Sequence, residues 1–196
     1  MNFLAHAYLS FNQPQVLIGN MISDFVKGKT QYSYPKSIQY GIKLHRAIDS
    51  FTDAHAATKK GKEIFRKDYR LYSGAILDIV YDYFLANDKS IFDDQSLMRF
   101  TQSVYEVLEE NAFQLPVGFF IMLPYMKKEN WLYHYKTSQG IEKSLRGLVR
   151  RSAHLSDHQK AYDLFIKHNE ELNDCYDIFF KDVKTYAKRQ FDDLFL

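Results

Sequence analysis

The sequence predicts an all-α protein, a single-domain helical bundle spanning residues 1–196. Three observations carry that expectation. Apolar residues recur at helical spacing almost throughout the chain. Only 8 Gly and 4 Pro occur, too few for a turn-rich all-β domain. No alternating apolar–polar run of useful length is present. With 46% hydrophobic and 16% aromatic residues, a chain of 196 residues can bury a substantial core.

The elements follow in order. A first helix is expected over 2–11, where Asn2 and His6 are the only polar side chains before Ser10, Tyr8 aside. A second, over 14–27, starts at Pro14, a residue suited to a first turn, and sets Asn20 and Asp24 four apart. A third, over 36–53, follows Pro35. One of its rows reads Ile38, Ile42, His45, Asp49, Asp53, turning from core to polar. Helices are expected over 56–68 and 70–87. The second of these contains the most apolar stretch of the chain, Gly74 to Ala86, in which Asp78 and Asp82 are the only ionisable groups besides tyrosine. Further helices are expected over 93–110, 113–126, 129–136 and 138–152. Pro116 and Pro124 mark the third-last of that group as a short helix or kinked connector. A last helix over 156–192, capped by Ser156 or Asp157, is open to a break. Phe191–Leu196 are expected to fray.

Composition shifts near residue 90 without a linker. The first part holds the histidine and carboxylate rows. The second is richer in surface charge: Glu106, Glu109, Glu110, Lys127, Lys128, Lys143, Arg146, Arg150 and Arg151. The second part is expected to close over a polar interior formed by the first. A net charge of +2 gives no reason to expect nucleic acid or a membrane as partner. No apolar run approaches the roughly 20 residues that span a bilayer. The N-terminus has no basic region and is interrupted by His6, Asn12, Gln13 and Asn20, so it does not read as a signal peptide. The single Cys175 excludes an internal disulfide framework and a cysteine metal cage, and fits a cytoplasmic protein. Oligomeric state is not set by the sequence.

Four helices thus each aim a short polar row inward. An aspartate is rarely buried unless paired or bound to a cation. The inventory of His6, Asp24, His45, Asp49, Asp78 and Asp82 mixes imidazole with carboxylate, which suits a divalent first-row metal or magnesium. Plainer readings compete. Asp78 and Asp82 can pair with Arg46 or Arg70, His45 and Asp49 can form an ordinary i,i+4 hydrogen bond, and His6 can be a satisfied core histidine. Asn20 reads as a helix-packing hydrogen bonder, Asp53 and His55 as cap and surface. His134, His154, His158 and His168 have no matching partners and read as surface.

The run Met1-Asn-Phe-Leu-Ala-His-Ala-Tyr-Leu-Ser10 resembles the start of the acyl carrier protein phosphodiesterase family. The resemblance continues in Gly19-Asn-Met-Ile-Ser-Asp-Phe-Val-Lys-Gly28, in Gly41-Ile-Lys-Leu-His-Arg-Ala-Ile-Asp-Ser-Phe-Thr-Asp-Ala-His55 and in Leu77-Asp-Ile-Val-Tyr-Asp-Tyr-Phe-Leu85. It persists more weakly through Trp131-Leu-Tyr-His-Tyr135 and from Gly140 to Arg151. It implies a helical fold distantly related to the HD-domain metal-dependent phosphohydrolases. It also implies hydrolysis of the phosphodiester joining 4′-phosphopantetheine to the serine of holo-acyl carrier protein, with Mn2+ or Mg2+. Two departures stand out. Tyr83 occupies the place of a usual family histidine, and Ala56 that of a frequent proline. A tyrosine binds a divalent metal poorly.

On this resemblance, His6, His45, Asp49, Asp78 and Asp82 are the expected metal shell. Asp24 and Asp78 are the expected catalytic carboxylates, one taking a proton from the attacking water. Lys27 and Arg46 are expected to hold phosphate oxygens, and Arg146 and Arg150, with Lys143 and Arg151, to face an acidic carrier protein. The alternatives are a catalytically weakened homologue that binds the carrier, motivated by Tyr83, and a hydrolase of another small phosphate ester. A di-iron bundle is disfavoured, because the interior rows hold aspartates rather than glutamates at Glu-x-x-His spacing.

Overall fold

The computed structural model describes residues 1–193, and among them every regular element is helical. Eleven α-helices are α1 (Phe3–Tyr8), α2 (Pro14–Ile22), α3 (Lys36–Ala54), α4 (Ala56–Tyr69), α5 (Ser73–Asn87), α6 (Asp94–Glu110), α7 (Val117–Lys128), α8 (Trp131–His134), α9 (Ser138–Arg151), α10 (Gln159–Lys167) and α11 (Asn169–Asp193). The all-α expectation holds. No helix among the described residues is long and apolar enough to cross a membrane.

Boundaries moved for local reasons. The helix expected over 14–27 ends at Ile22 and gives way to a 3-10 turn over Ser23–Phe25. Val26 and Lys27 are extended, and Gly28 has φ +55, a conformation glycine adopts without steric cost. The helix expected from 70 starts at Ser73, after a 3-10 turn in which Arg70 has φ 46. The helix expected from 113 starts at Val117, because Pro116 disfavours helical geometry at Leu115, which is extended. Pro124 lies inside α7 rather than ending it. The last expected helix breaks at His168 into α10 and α11. Its N-cap position falls on His158, while the Asp157 carboxylate accepts the Lys160 backbone N–H at 3.2 Å. The expected fraying of Phe191–Leu196 falls in part on residues 194–196, outside the described residues; residues 191–193 belong to α11.

Two features position the interior. The first is the crossing of α2 and α3. A Cβ on Gly19 would lie 2.1 Å from the Ile38 carbonyl oxygen, and one on Gly41 would lie 2.2 Å from that of Val16. Only glycines allow the backbones to approach this closely. The second is the anchoring of α1, which at six residues is too short to hold itself. Its N-terminus is tied by the carboxylate of Asp82 on α5, which accepts the backbone N–H of Leu4 at 2.8 Å and of Ala5 at 3.2 Å. These are N–H groups that a helix leaves unpaired at its start.

The second half closes the far side. The long α11 packs along α3, α4 and α5. There Tyr81 stacks on Phe179 at 4.9 Å and Phe51 on Tyr186 at 4.4 Å. The buried apolar residues form one cluster from Leu4 to Ala187.

Candidate metal centre

The centre is built from α1, α2 and α3. The Gly19–Gly41 crossing brings Asn20 of α2 against His45 of α3, so that His45 Nδ1 donates to the Asn20 backbone carbonyl at 2.7 Å. The same residue serves α1 with its side chain. Asn20 Nδ2 donates to the His6 carbonyl at 2.8 Å and to Ser10 Oγ at 3.0 Å, which leaves Oδ1 facing His6 Nδ1 at 2.8 Å. Both imidazoles therefore donate through Nδ1. When neutral, both carry their lone pair on Nε2. The rings stack, with centroids 3.9 Å apart and planes 14° off parallel.

Both Nε2 atoms point to Asp49. His6 Nε2 is 3.2 Å from Asp49 Oδ1, and His45 Nε2 is 3.1 Å from Oδ2. His45 Nε2 also lies 3.2 Å from Oδ1 of the exposed Asp24. Despite its proximity to Asp49, His6 Nε2 is buried without an aligned hydrogen bond. On the other side of Asp49, the Met1 α-ammonium sits 3.2 Å from Asp49 Oδ1 and 3.3 Å from Asp78 Oδ1.

The ionisation pattern reflects this crowding. Burial, then repulsion by His45, pushes His6 down to about 4. Burial alone would also lower His45, but hydrogen bonds and charge from Asp24 and Asp49 outweigh it and hold His45 up at about 9. Burial would raise Asp49, yet the two histidines and the nearby ammonium keep it far below the usual carboxylate range. Hydrogen bonding to His45 lowers Asp24. Burial raises Asp78, and pushes Asp82 up to about 7 despite its backbone partners.

These residues fit a metal ion. Ligand atoms of His6, His45 and Asp49 all lie within 4.8 Å of one another. A neutral imidazole lone pair aimed at a carboxylate oxygen is repulsive unless a proton or a cation lies between them. Only one proton can be accommodated cheaply here, because two stacked imidazolium ions repel. A cation among the three satisfies both Nε2 atoms and Asp49 together, including the buried His6 Nε2 that no hydrogen bond serves.

The other candidates are distributed around this core. Asp78 stands beside Asp49 through the ammonium. Asp82 is fully buried and spends both oxygens on the start of α1, so it reaches the centre indirectly, through His6. Among the described residues neither pairs with an arginine. Arg46 instead donates to Gln31 Oε1 at 2.8 Å and to the Val26 carbonyl at 3.1 Å, and Lys27 is exposed on the same segment. Arg146 and Arg150 are exposed on α9, which packs against α5. Tyr83 meets Phe84 and Phe165 edge-on, at 5.4 and 5.2 Å. Asp53 pairs with Lys62, and His55 with Asp182. His134 and His154 are exposed; His158 and His168 are half-buried, each beside a glutamate.

Sequence reasoning missed two contributors. Asn20 orients both histidines, a role hinted at only by its burial-prone neighbourhood and its i,i+4 spacing to Asp24. Gln31 holds Arg46 from a segment with no apolar period.

Comparison with known proteins adds an independent line. The acyl carrier protein phosphodiesterase family model matches residues 1–183. The chain is 30% identical over 191 residues to the acyl carrier protein phosphodiesterase of Yersinia pestis, covering 97% of this chain and 99% of that protein. It is 32% identical over 157 residues to the protein of that name from Photorhabdus laumondii, covering 80% and 79%. It is 30% identical to that of Pectobacterium atrosepticum, again over 191 residues, covering 97% and 99%. No solved structure matches the chain.

Proposed function

The chain belongs to the acyl carrier protein phosphodiesterase family, and we propose that it hydrolyses the phosphodiester between 4′-phosphopantetheine and the serine of holo-acyl carrier protein. The observation that carries the reading is the His6–His45–Asp49 cluster, in which two Nε2 atoms and a carboxylate converge with room for one proton among them, so that His6 Nε2 is left without a partner. Water adds to phosphorus, the bond from phosphorus to serine Oγ breaks, and that oxygen leaves with a proton. The products are apo-carrier and free phosphopantetheine.

A bound Mn2+ or Mg2+ would supply positive charge at the phosphoryl oxygens and lower the pKa of water towards ~7 in favourable cases. His6, His45 and Asp49 would hold it, with Asp78 beside Asp49. Asp24, exposed and adjacent to His45 Nε2, takes the proton of the attacking water. Arg46 has two N–H groups committed to Gln31 and Val26, which fixes its fork and leaves three donors for phosphate oxygens. Tyr83 packs among aromatic rings, so its place in the usual histidine position alters packing, which favours an active enzyme over a binding-only homologue.

The test is intact mass of holo-acyl carrier protein after incubation with the chain and Mn2+. Loss of the phosphopantetheine mass, blocked by chelator and by Asp49→Ala, is expected. An unchanged mass with metal bound assigns the centre to another phosphate ester.

A further inference from the structure

Helix α7 is apolar on both faces. Its inner face buries Phe119, Leu123 and Met126. Its outer face, with the preceding turn, carries Phe113, Val117, Phe120, Ile121 and Tyr125, which are between 51% and 85% exposed. From Val117 the spacing of three, one and four residues forms one continuous stripe on the helix, and Phe113 stands on the turn before it. A soluble chain rarely leaves such a stripe facing water without a partner for it.

The helix that carries the stripe packs on Phe25, the neighbour of Asp24. Phe25 follows Asp24 directly, and its ring meets Phe119 edge-on at 5.4 Å. A Cβ on Gly118 would lie 3.1 Å from Phe25 Cδ1, so ring and helix backbone are in contact. Asp24 itself reaches His45 Nε2. Two and four residues after Phe25 in the chain come Lys27 and Lys29, both exposed and in no ion pair among the described residues.

The chemistry demands a close partner. In the reaction proposed above, the bond that breaks joins phosphorus to a serine Oγ, which is two bonds from the carrier's own Cα. The carrier cannot present this bond at the end of its flexible arm. Its polypeptide must lie against the surface beside the centre, and Phe25, next to Asp24 in the chain and packed on α7, belongs to that surface. An apolar stripe beside uncompensated cations complements an acidic surface with apolar residues, which is the character of carrier proteins.

We propose that the outer face of α7, with Phe25, Lys27 and Lys29, is the docking surface for the carrier polypeptide, as distinct from its phosphopantetheine arm. The inference rests on the hydrolase reading for its choice of occupant.

The experiment titrates fluorescently labelled apo-acyl carrier protein, which lacks the arm, with the full chain and reads anisotropy. Wild type is compared with Phe120→Ser, Ile121→Glu and Leu71→Ser, the last altering an exposed leucine far along the chain, on the turn before α5. Light scattering and thermal melts on each variant report assembly and folding. The α7 variants are expected to bind about tenfold more weakly or worse, with KM for holo-carrier raised in parallel, while Leu71→Ser binds as wild type does. Equal binding by all variants, or none by wild type, overturns the proposal. So does loss of a dimer in the α7 variants with carrier binding kept, which assigns the face to a second copy. Carrier binding that depends on α7, without hydrolysis by wild type, supports the surface and sinks the hydrolase reading alone.

Discussion

Gly19 and Gly41 meet where α2 crosses α3, and a Cβ on Gly41 would come within 2.8 Å of the Gly19 Cα. The crossing sets the distance from the Asn20 carbonyl to His45 Nδ1, so packing and ligand geometry share one contact. Gly41→Ala forces the helices apart. It is expected to cost about 1–3 kcal/mol of stability, as overpacking does, and to weaken Mn2+ binding. Urea denaturation and calorimetric titration with Mn2+ measure the two effects. Full Mn2+ affinity in a destabilised variant would uncouple them.

Asn20→Ala removes the acceptor of His6 Nδ1 and the donor to the His6 carbonyl and Ser10. Metal affinity is expected to fall about 10–100-fold, the usual effect of losing a partner that orients a ligand. Manganese electron paramagnetic resonance, counting free ion, reads this directly. Unchanged affinity would show that the histidines need no such support.

The metal-free protein has a defined pH response. His45 has a folded pKa of about 9 against 6.5 unfolded. Its contribution is fully present below 6.5 and is lost as pH rises through 9. The Met1 ammonium, raised from 8.0 to about 10, acts with the same sign. The melting temperature of chelator-treated protein should therefore fall between pH 7 and 9, and His45→Asn should flatten that fall. In the same range Mn2+ should bind more tightly as pH rises, since binding displaces the His45 proton.

Asp82→Ala leaves two buried N–H groups at the start of α1 unpaired, at an expected cost of about 1–3 kcal/mol each. Asp82→Asn keeps one acceptor and should cost less. Both should weaken metal binding through His6, while Asp82 touches no ligand atom. Chemical denaturation ranks the pair. Equal costs would indicate that the carboxylate is not what holds α1.

Much of this was legible in the residues. Helical rows placed His6, His45 and Asp49 on inward faces because a period of 3.6 is a local property. The differing fates of Asp78 and Asp82 were not legible. They share a face of α5 and an apolar setting, yet one stands beside Asp49 and the other caps α1. What separates them is where α1 docks, a tertiary fact with no local sign. The end of α2 at Ile22 was likewise hidden, since Asp24 continues the i,i+4 pattern from Asn20 while the backbone has already left the α-helix. The outer stripe of α7 shows the reverse error. Its apolar period is real, but pattern alone cannot say which apolar face meets the core.

The anchoring of α1 by Asp82 also orders events during synthesis. His6 leaves the ribosome long before the carboxylate that caps its helix and before the ring it stacks upon. A nascent chain stopped short of residue 82 carries His6 on six residues that cannot hold a helix alone. Assembly of the centre must wait for a contact 78 residues away in the chain.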